Sequence, residues 1–123
     1  MIQSYRDLTV YQRSYQIALT IYELAKTIPE EERYGIISQL KRASLSVPLN
    51  IAEGYSKNDS ELEFKRYLRM AMGSCNEMNV LLDFCKDLGY IAKEKHEEYG
   101  KEYDELGRML NSLISKWTTN EKV

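Results

Sequence analysis

Apolar side chains recur at alternating steps of three and four residues in four separate segments of this chain. That period matches one face of an α-helix, whereas a half-buried strand would alternate at every second residue. Only two prolines and six glycines interrupt the 123 residues, so the segments can run as long helices. The sequence therefore predicts an all-α fold, an antiparallel up-down-up-down bundle of four helices.

The first predicted helix runs from about Asp7 to Ile28 and carries two neighbouring apolar rows instead of one. Two rows make a wider stripe than the seam of a single bundle requires, so we expect a second subunit to cover part of this helix. The rows are Tyr11, Tyr15, Ala18, Tyr22 and Ala25, and Val10, Ile17, Ile21, Leu24 and Ile28.

The second predicted helix starts after Pro29 and stops at Gly54, which we place in the left-handed conformation just past the helix end. Three glutamates at positions 30–32 suit a helix N-terminus, which favours negative charge. Pro48 lies inside the run and is expected to bend the helix near Ser44 without ending it. The apolar row is Ile36, Leu40, Ala43, Val47 and Ile51.

The third predicted helix begins with a capping box, in which Ser60 caps the helix and Glu63 reaches back to the backbone of the cap. Gly89 ends it, with Tyr90 packing back as the hydrophobic partner of that cap. Its row is Phe64, Leu68, Ala71, Cys75, Met78, Leu82 and Cys85.

The fourth predicted helix starts near Lys93, and its apolar row ends at Trp117. A chain of this length fits one domain. We therefore assign residues 1–117 to a single four-helix bundle and residues 118–123 to a frayed tail. The row is Tyr99, Tyr103, Leu106, Leu110, Leu113 and Trp117.

Composition excludes several classes of protein. Charged residues make up 29% of the chain, and no apolar run approaches the ~20 residues that a membrane span needs. The first residues lack the apolar segment of a signal peptide, so we expect a cytoplasmic protein without membrane contact. Cys75 and Cys85, on one helix, would lie about 15 Å apart, too far to bridge. We interpret both thiols as small buried apolar groups.

The second helix also carries a polar row, whose composition differs from that of a solvated lysine and glutamate face. The third helix offers polar counterparts. Two interpretations stay open, a structural network that fixes helix register and a functional site, and we favour the first. The residues are Gln39, Arg42, Ser46, Asn50 and Glu53 on helix two, and Arg66, Ser74 and Glu77 on helix three.

A hairpin of these two helices sets a register for the polar residues. Counting back from the turn places Glu53, with Asn50 of the same row, beside Arg66. The same register places Arg42 beside Ser74 and Glu77, so opposite charges meet twice. We expect the Arg42–Glu77 pair to be buried, so replacement of either residue by alanine should destabilise the fold, and the double substitution should cost less than the sum of the two.

The polar row lies within a run that resembles the signature of the 23S rRNA-intervening-sequence proteins, and the resemblance covers nearly the whole chain. It implies a left-handed four-helix bundle assembled as a ring, a homopentamer, with no known enzymatic activity. One departure is Ala92, where the family typically has serine or a similar helix cap. The matching segments are residues 39–43 (QLKRA), 46–54 (SVPLNIAEG), 7–11 (DLTVY), 71–74 (AMGS) with Glu77, 88–90 (LGY), and Pro29 with Tyr34 and Gly35.

The family is similar to the accessory variability determinant of diversity-generating retroelements. That pentameric bundle binds nucleic acid and a reverse transcriptase, and it is strongly basic. This chain has a net charge of −2, so the resemblance gives little support for nucleic-acid binding here.

Catalysis is the least favoured class of function. His96 is the only histidine and lies in a charged segment with no recognisable nucleophile motif beside it. The Glu-x-x-His pairs of helical di-metal sites do not occur, and the glycines are too scattered for a phosphate-binding loop. We expect no enzyme, cofactor, metal or small-molecule substrate.

Nucleic-acid binding has one local argument. Between positions 33 and 69 there are seven basic and four acidic residues. Lys57, Lys65, Arg69 and Tyr55 could form a basic, partly aromatic rim at one end of the bundle. An ordinary solvated surface is the simpler interpretation of these charges. We predict an oligomeric scaffold associated with RNA or a ribonucleoprotein, and a protein-binding adaptor without a nucleic-acid role is the alternative.

Overall fold

The computed structural model describes residues 1–118, and this part of the chain contains four α-helices and no strand. The α-helices are α1 (Thr9–Ala25), α2 (Ile36–Tyr55), α3 (Glu61–Asp87) and α4 (Lys93–Lys116). Two short 3-10 segments, Tyr5–Asp7 and Glu30–Glu32, precede α1 and α2.

Each helix packs on the next in the chain, and α4 closes the bundle against α1. Two contacts show that α2 and α3 are antiparallel, because Arg42 meets Glu77 while Ser46 meets Ser74. The four-helix, all-α prediction is confirmed. No helix among residues 1–118 is both long enough and apolar enough to cross a membrane. Within the predicted tail, Thr118 follows the last helix, and residues 119–123 lie outside the described part.

Helix α1 is shorter than predicted and begins at Thr9. The 3-10 turn before it is capped by Ser4, whose hydroxyl accepts from the Arg6 N–H while the Asp7 carboxylate accepts from the Ser4 N–H. The row that includes Val10 and Ile28 is buried throughout, as expected for a core face. The tyrosine row is only partly covered.

The predicted start of α2 is wrong. The three glutamates form a separate 3-10 turn, and the helix begins at Ile36 after a break at Gly35. Glu32 still lies near the helix N-terminus, since its carboxylate accepts hydrogen bonds from the Ile36 N–H (3.5 Å) and from the Tyr90 hydroxyl (2.6 Å). The helix continues through Pro48, which is buried.

Gly54 does not end α2 in the left-handed conformation. The helix includes Gly54 and Tyr55, and within residues 1–118 only Gly89 has a positive φ. A Cβ atom on Gly54 would lie 2.6 Å from the Cβ of Tyr67 and 3.2 Å from the Phe64 ring. Close approach of α2 and α3 therefore requires this glycine.

Half of the predicted capping box of α3 forms. The Ser60 hydroxyl accepts from the Glu63 N–H at 3.2 Å. The Ser60 N–H instead donates to the Lys57 carbonyl, and the Glu63 carboxylate pairs with Arg66. The Ser60 hydroxyl thus satisfies one N–H at the helix N-terminus that has no partner within the helix. The Glu63 carboxylate forms an ion pair with Arg66 of the same helix.

The end of α3 matches the prediction. Gly89 has a φ of 81°, and two hydrogen bonds complete the terminal motif: Tyr90 N–H to the Cys85 carbonyl (2.8 Å) and Gly89 N–H to the Lys86 carbonyl (3.0 Å). These are the two bonds of a Schellman cap, in which glycine supplies the left-handed residue. Tyr90 is half-buried against the core, as predicted.

Helix α4 begins at Lys93 as predicted, with Ala92 at its N-cap and no side-chain cap bond. Its buried row ends at Ile114, whereas Leu113 and Trp117 are half-buried. Both cysteines are free and buried. Burial raises the pKa of the Cys75 thiol to about 12 and that of Cys85, which also faces Glu32, to about 11. They serve as apolar core groups.

Candidate interaction surfaces

The seam between α2 and α3 carries one half of the predicted polar network. Arg42 contacts Glu77 across the seam and also donates from Nη2 to Gln39 Oε1 at 2.9 Å. Ser46 donates to the Ser74 hydroxyl one turn away. The predicted register of Arg42 with Glu77 is therefore confirmed, whereas Ser74 meets Ser46 and not Arg42.

This half of the network is not buried in the protomer. The Arg42 side chain is 54% exposed and the Glu77 side chain 39% exposed. Water solvates and screens both charges, so we assign the pair at most about 1 kcal/mol, well below the penalty of breaking a buried pair. The expectation of a buried ion pair is wrong at the level of the protomer.

The other half of the predicted network does not form. Arg66 pairs with Glu63 of its own helix through two hydrogen bonds of 3.1 Å. That contact holds the pKa of the Glu63 carboxyl below its ordinary value. Glu53 accepts from Lys57, and Asn50 donates to the Ser46 carbonyl.

The positions of the side chains on the two helices explain why Arg66 pairs with Glu63 and not with Glu53. Side chains three or four residues apart on one helix are always within reach, whereas an interhelical partner must also face the right way. Tyr67 takes the position against Gly54, and the adjacent Arg66 is left at the surface. Local pairs therefore form in place of the predicted contact.

The predicted basic rim is only partly available. Lys57 pairs with Glu53 at 3.3 Å, and Lys65 pairs with Glu61 at 3.8 Å. Arg69 is exposed and makes no ion pair within residues 1–118.

The aromatic member of the rim faces inward. Tyr55 is half-buried and meets the rings of Phe64 and Trp117 edge to face, with centroids 5.9 and 6.3 Å away. Tyr67 is the aromatic group that sequence reasoning missed. The Arg66 guanidinium lies 4.6 Å and the Lys57 ammonium 5.9 Å from the centre of its ring. Its position in the sequence between Arg66 and Arg69 could have identified it.

An apolar groove lies between α1 and α2, and we call it the α1–α2 groove. It has a volume of about 290 Å³. Leu19 is 52% exposed at this groove, and Leu49, on the next turn of α2, is 64% exposed. At the edge of the groove, the Lys41 ammonium lies 5.3 Å from the centre of the Tyr22 ring. The lining residues are Tyr15, Ala18, Leu19, Tyr22, Leu45 and Pro48.

The single histidine joins two helices. His96 Nε2 lies 2.7 Å from Asp83 Oδ1, which connects the first turn of α4 to the last part of α3. In the stretch from residue 1 to 118, no group of three or more histidine, cysteine, aspartate or glutamate side chains is arranged to hold a metal ion.

Comparison with known proteins identifies a family and solved structures of similar fold. The sequence profile of the family described as "23S rRNA-intervening sequence protein" matches residues 6–112. A solved protein of unknown function from the S23 ribosomal protein family of Bacteroides thetaiotaomicron is 26% identical, with a TM-score of 0.79. The match covers 87% of this chain and 96% of that one. Among proteins with curated descriptions, none matches.

Proposed function

We propose that this chain, which belongs to the 23S rRNA-intervening sequence protein family, is a non-enzymatic helical scaffold that assembles with copies of itself. The α1–α2 groove is the observation that carries the proposal. Its leucine and tyrosine side chains are exposed together, and contiguous apolar patches of this kind are typical of protein interfaces. Covering them with a second copy removes apolar surface from water.

The proposed assembly is a ring. A contact in which the groove of one copy receives a different surface of the next copy is head-to-tail, and such contacts close into rings when the rotation between copies allows it. The resemblance to pentameric bundles is the reason for placing five copies in the ring.

A charge placed in the groove tests the assembly. Leu19→Glu with Leu45→Glu should disrupt the ring and lower the particle mass to at most two copies of the 14.4 kDa chain, because two carboxylates would be buried at the contact without partners. Light scattering on micromolar protein measures the mass. Asn111→Glu, at an exposed position of α4, is the control and should leave the mass unchanged. A wild-type monomer across that concentration range would sink the proposal.

RNA association is the second candidate function. The Arg66 and Lys57 cations lie over the ring of the half-buried Tyr67, and Arg69 adds a charge without a local carboxylate partner. Single-stranded RNA is bound by such combinations of stacking and phosphate contacts. A ring would multiply a weak site through avidity.

Salt dependence separates this candidate from a protein-binding adaptor. Five copies with one or two phosphate contacts each give a log–log salt slope on the order of −5 to −9. Reversal of Lys57, Lys65 and Arg69 to glutamate should abolish RNA binding while the ring, whose contact is the α1–α2 groove, stays assembled, with Lys101→Glu on α4 as the control. Absence of an RNA shift at low salt favours the adaptor, whose affinity for a protein partner should vary little with salt.

A further inference from the structure

Helix α3 turns apolar side chains to solvent as well as to the core. Leu62 is 74% exposed and Phe84 is 55% exposed, and the exposed Met70 and Val80 lie between them. Their spacing places them on one side of the helix, away from the buried row. We call this surface the α3 outer face. It is separate from the α1–α2 groove, since none of its residues lines that groove.

Gly73 lies near the middle of the α3 outer face and has no role inside the protomer. A Cβ atom on it would meet nothing within 4 Å, whereas one on Gly54 would clash with α3. Glycine inside a helix weakens it relative to alanine. A glycine on an exposed apolar face leaves room for another backbone to approach closely from outside.

One charged pair and one apolar pair on this face lie at equal distances from Gly73, whereas Val80 and Met70 have Arg66 and Asn76 as their counterparts. Arg69 lies four residues before it and Glu77 four residues after it, with opposite charges. Leu62 lies eleven residues before it and Phe84 eleven residues after it, and both are apolar. Arg69 makes no ion pair in the described stretch 1–118, and Glu77 keeps an exposed side while it contacts Arg42.

We propose that the α3 outer face binds the same face of a second copy, with the two α3 helices antiparallel and crossing at Gly73. Rotation by half a turn about Gly73 brings Arg69 of each copy opposite Glu77 of the other. The same rotation brings Leu62 opposite Phe84. This contact is isologous, because the same patch serves both copies. An unrelated partner helix would not require opposite charges at equal distances from the glycine.

The contact is independent of the α1–α2 groove. A head-to-tail contact through the groove builds a ring, and a twofold contact through α3 joins two copies that belong to different rings. Either contact can therefore fail in an experiment while the other persists.

Cysteine crosslinking tests the geometry directly. Gly73→Cys should give a disulfide-linked dimer under mild oxidation, since a residue on the twofold axis meets its own copy within the roughly 4.4–6.8 Å between Cα atoms that a disulfide spans. The native Cys75 and Cys85 are buried and should not react. Denaturing electrophoresis without reductant measures the dimer.

Two further cysteine variants fix the direction of the helices. Leu62→Cys alone should not crosslink, because its two copies would lie about 33 Å apart along antiparallel helices. A mixture of Leu62→Cys and Phe84→Cys proteins should crosslink. Self-crosslinking of Leu62→Cys, or no crosslink for Gly73→Cys, would overturn the proposal.

A bulky side chain at the axis gives a second readout. Gly73→Leu should halve the particle mass in light scattering, while its unfolding temperature should not fall, because the protomer has open space at this position. Lys101→Leu, at an exposed position of α4, should leave the mass unchanged. An unchanged mass for Gly73→Leu contradicts the twofold contact. Crosslinking of Gly73→Cys should survive Leu19→Glu, which separates this contact from the ring.

Discussion

The seams that α2 forms with α3 and that α1 forms with α4 differ in how closely the helices meet. At the α2–α3 seam, Gly54 lets the backbone approach Tyr67, and the Ser46 and Ser74 hydroxyls meet one another. At the α1–α4 seam, the Arg13 and Glu105 side chains form an ion pair of 3.1 Å at a half-exposed position.

The α1–α4 seam also has a groove at each of its two ends. One, of about 380 Å³, lies where Val10 faces Leu113. The other, of about 370 Å³, lies where Leu24 faces Tyr99. Small residues bring helices together, and long side chains hold them apart and leave space between them. In these two seams, residue size at the crossing sets the spacing of the helices more than the number of polar contacts does.

Gly54→Ala tests the close seam and should have the largest effect. Its Cβ would lie 2.6 Å from the Tyr67 Cβ, so one helix must move, and we expect a loss of about 3 kcal/mol in the free energy of unfolding. Denaturant titration measures it.

Gly107→Ala is the matched control for that substitution. Its Cβ meets nothing within 4 Å, so the better helix propensity of alanine should stabilise the protein by up to ~1 kcal/mol. Equal effects of the two substitutions would show that packing at Gly54 does not set the spacing of the seam.

The Arg42–Glu77 pair should have an intermediate effect. Because both side chains are partly exposed in the protomer, a double-mutant cycle to alanine should give a coupling energy of about 0.5–1 kcal/mol. The cycle requires the four unfolding free energies under conditions in which the protein is monomeric. A coupling of 3 kcal/mol or more, typical of a buried pair, would contradict the exposure found for this seam.

The Arg13–Glu105 pair should have the smallest effect. It is the polar contact that links α1 to α4 across the open seam, and its side chains are about half exposed. A cycle to alanine should give about 0.2–0.5 kcal/mol, falling further in ~0.5 M salt because exposed charges are screened. A coupling that equals or exceeds that of Arg42 and Glu77 would remove the difference between the seams.

Much of the fold could be predicted from the sequence, because the residues that start and end a helix lie close together in the chain. The Ser60 cap and the Gly89 stop each depend on residues within one or two turns. The register of Arg42 with Glu77 also followed, since counting outward from a short turn leaves few alternatives. These features use no information about the distance between helices.

The candidate surfaces were less predictable, because exposure depends on which face each helix turns to its neighbours. Arg66 could pair with Glu53 or with Glu63, and sequence spacing alone allowed both. Tyr55 had the composition of a rim residue, yet it packs against Phe64.

By itself, the sequence determined an all-α chain of four helices, their approximate ends and their buried rows, since each follows from the helical period and from local capping. The tertiary structure decided the rest. It placed Gly54 at a helix crossing instead of a helix end and left Arg42 and Glu77 partly exposed. It also turned Gly73 to solvent among apolar side chains. The physical reason is that spacing and exposure arise from the packing of one helix on another, which no single segment of the chain encodes.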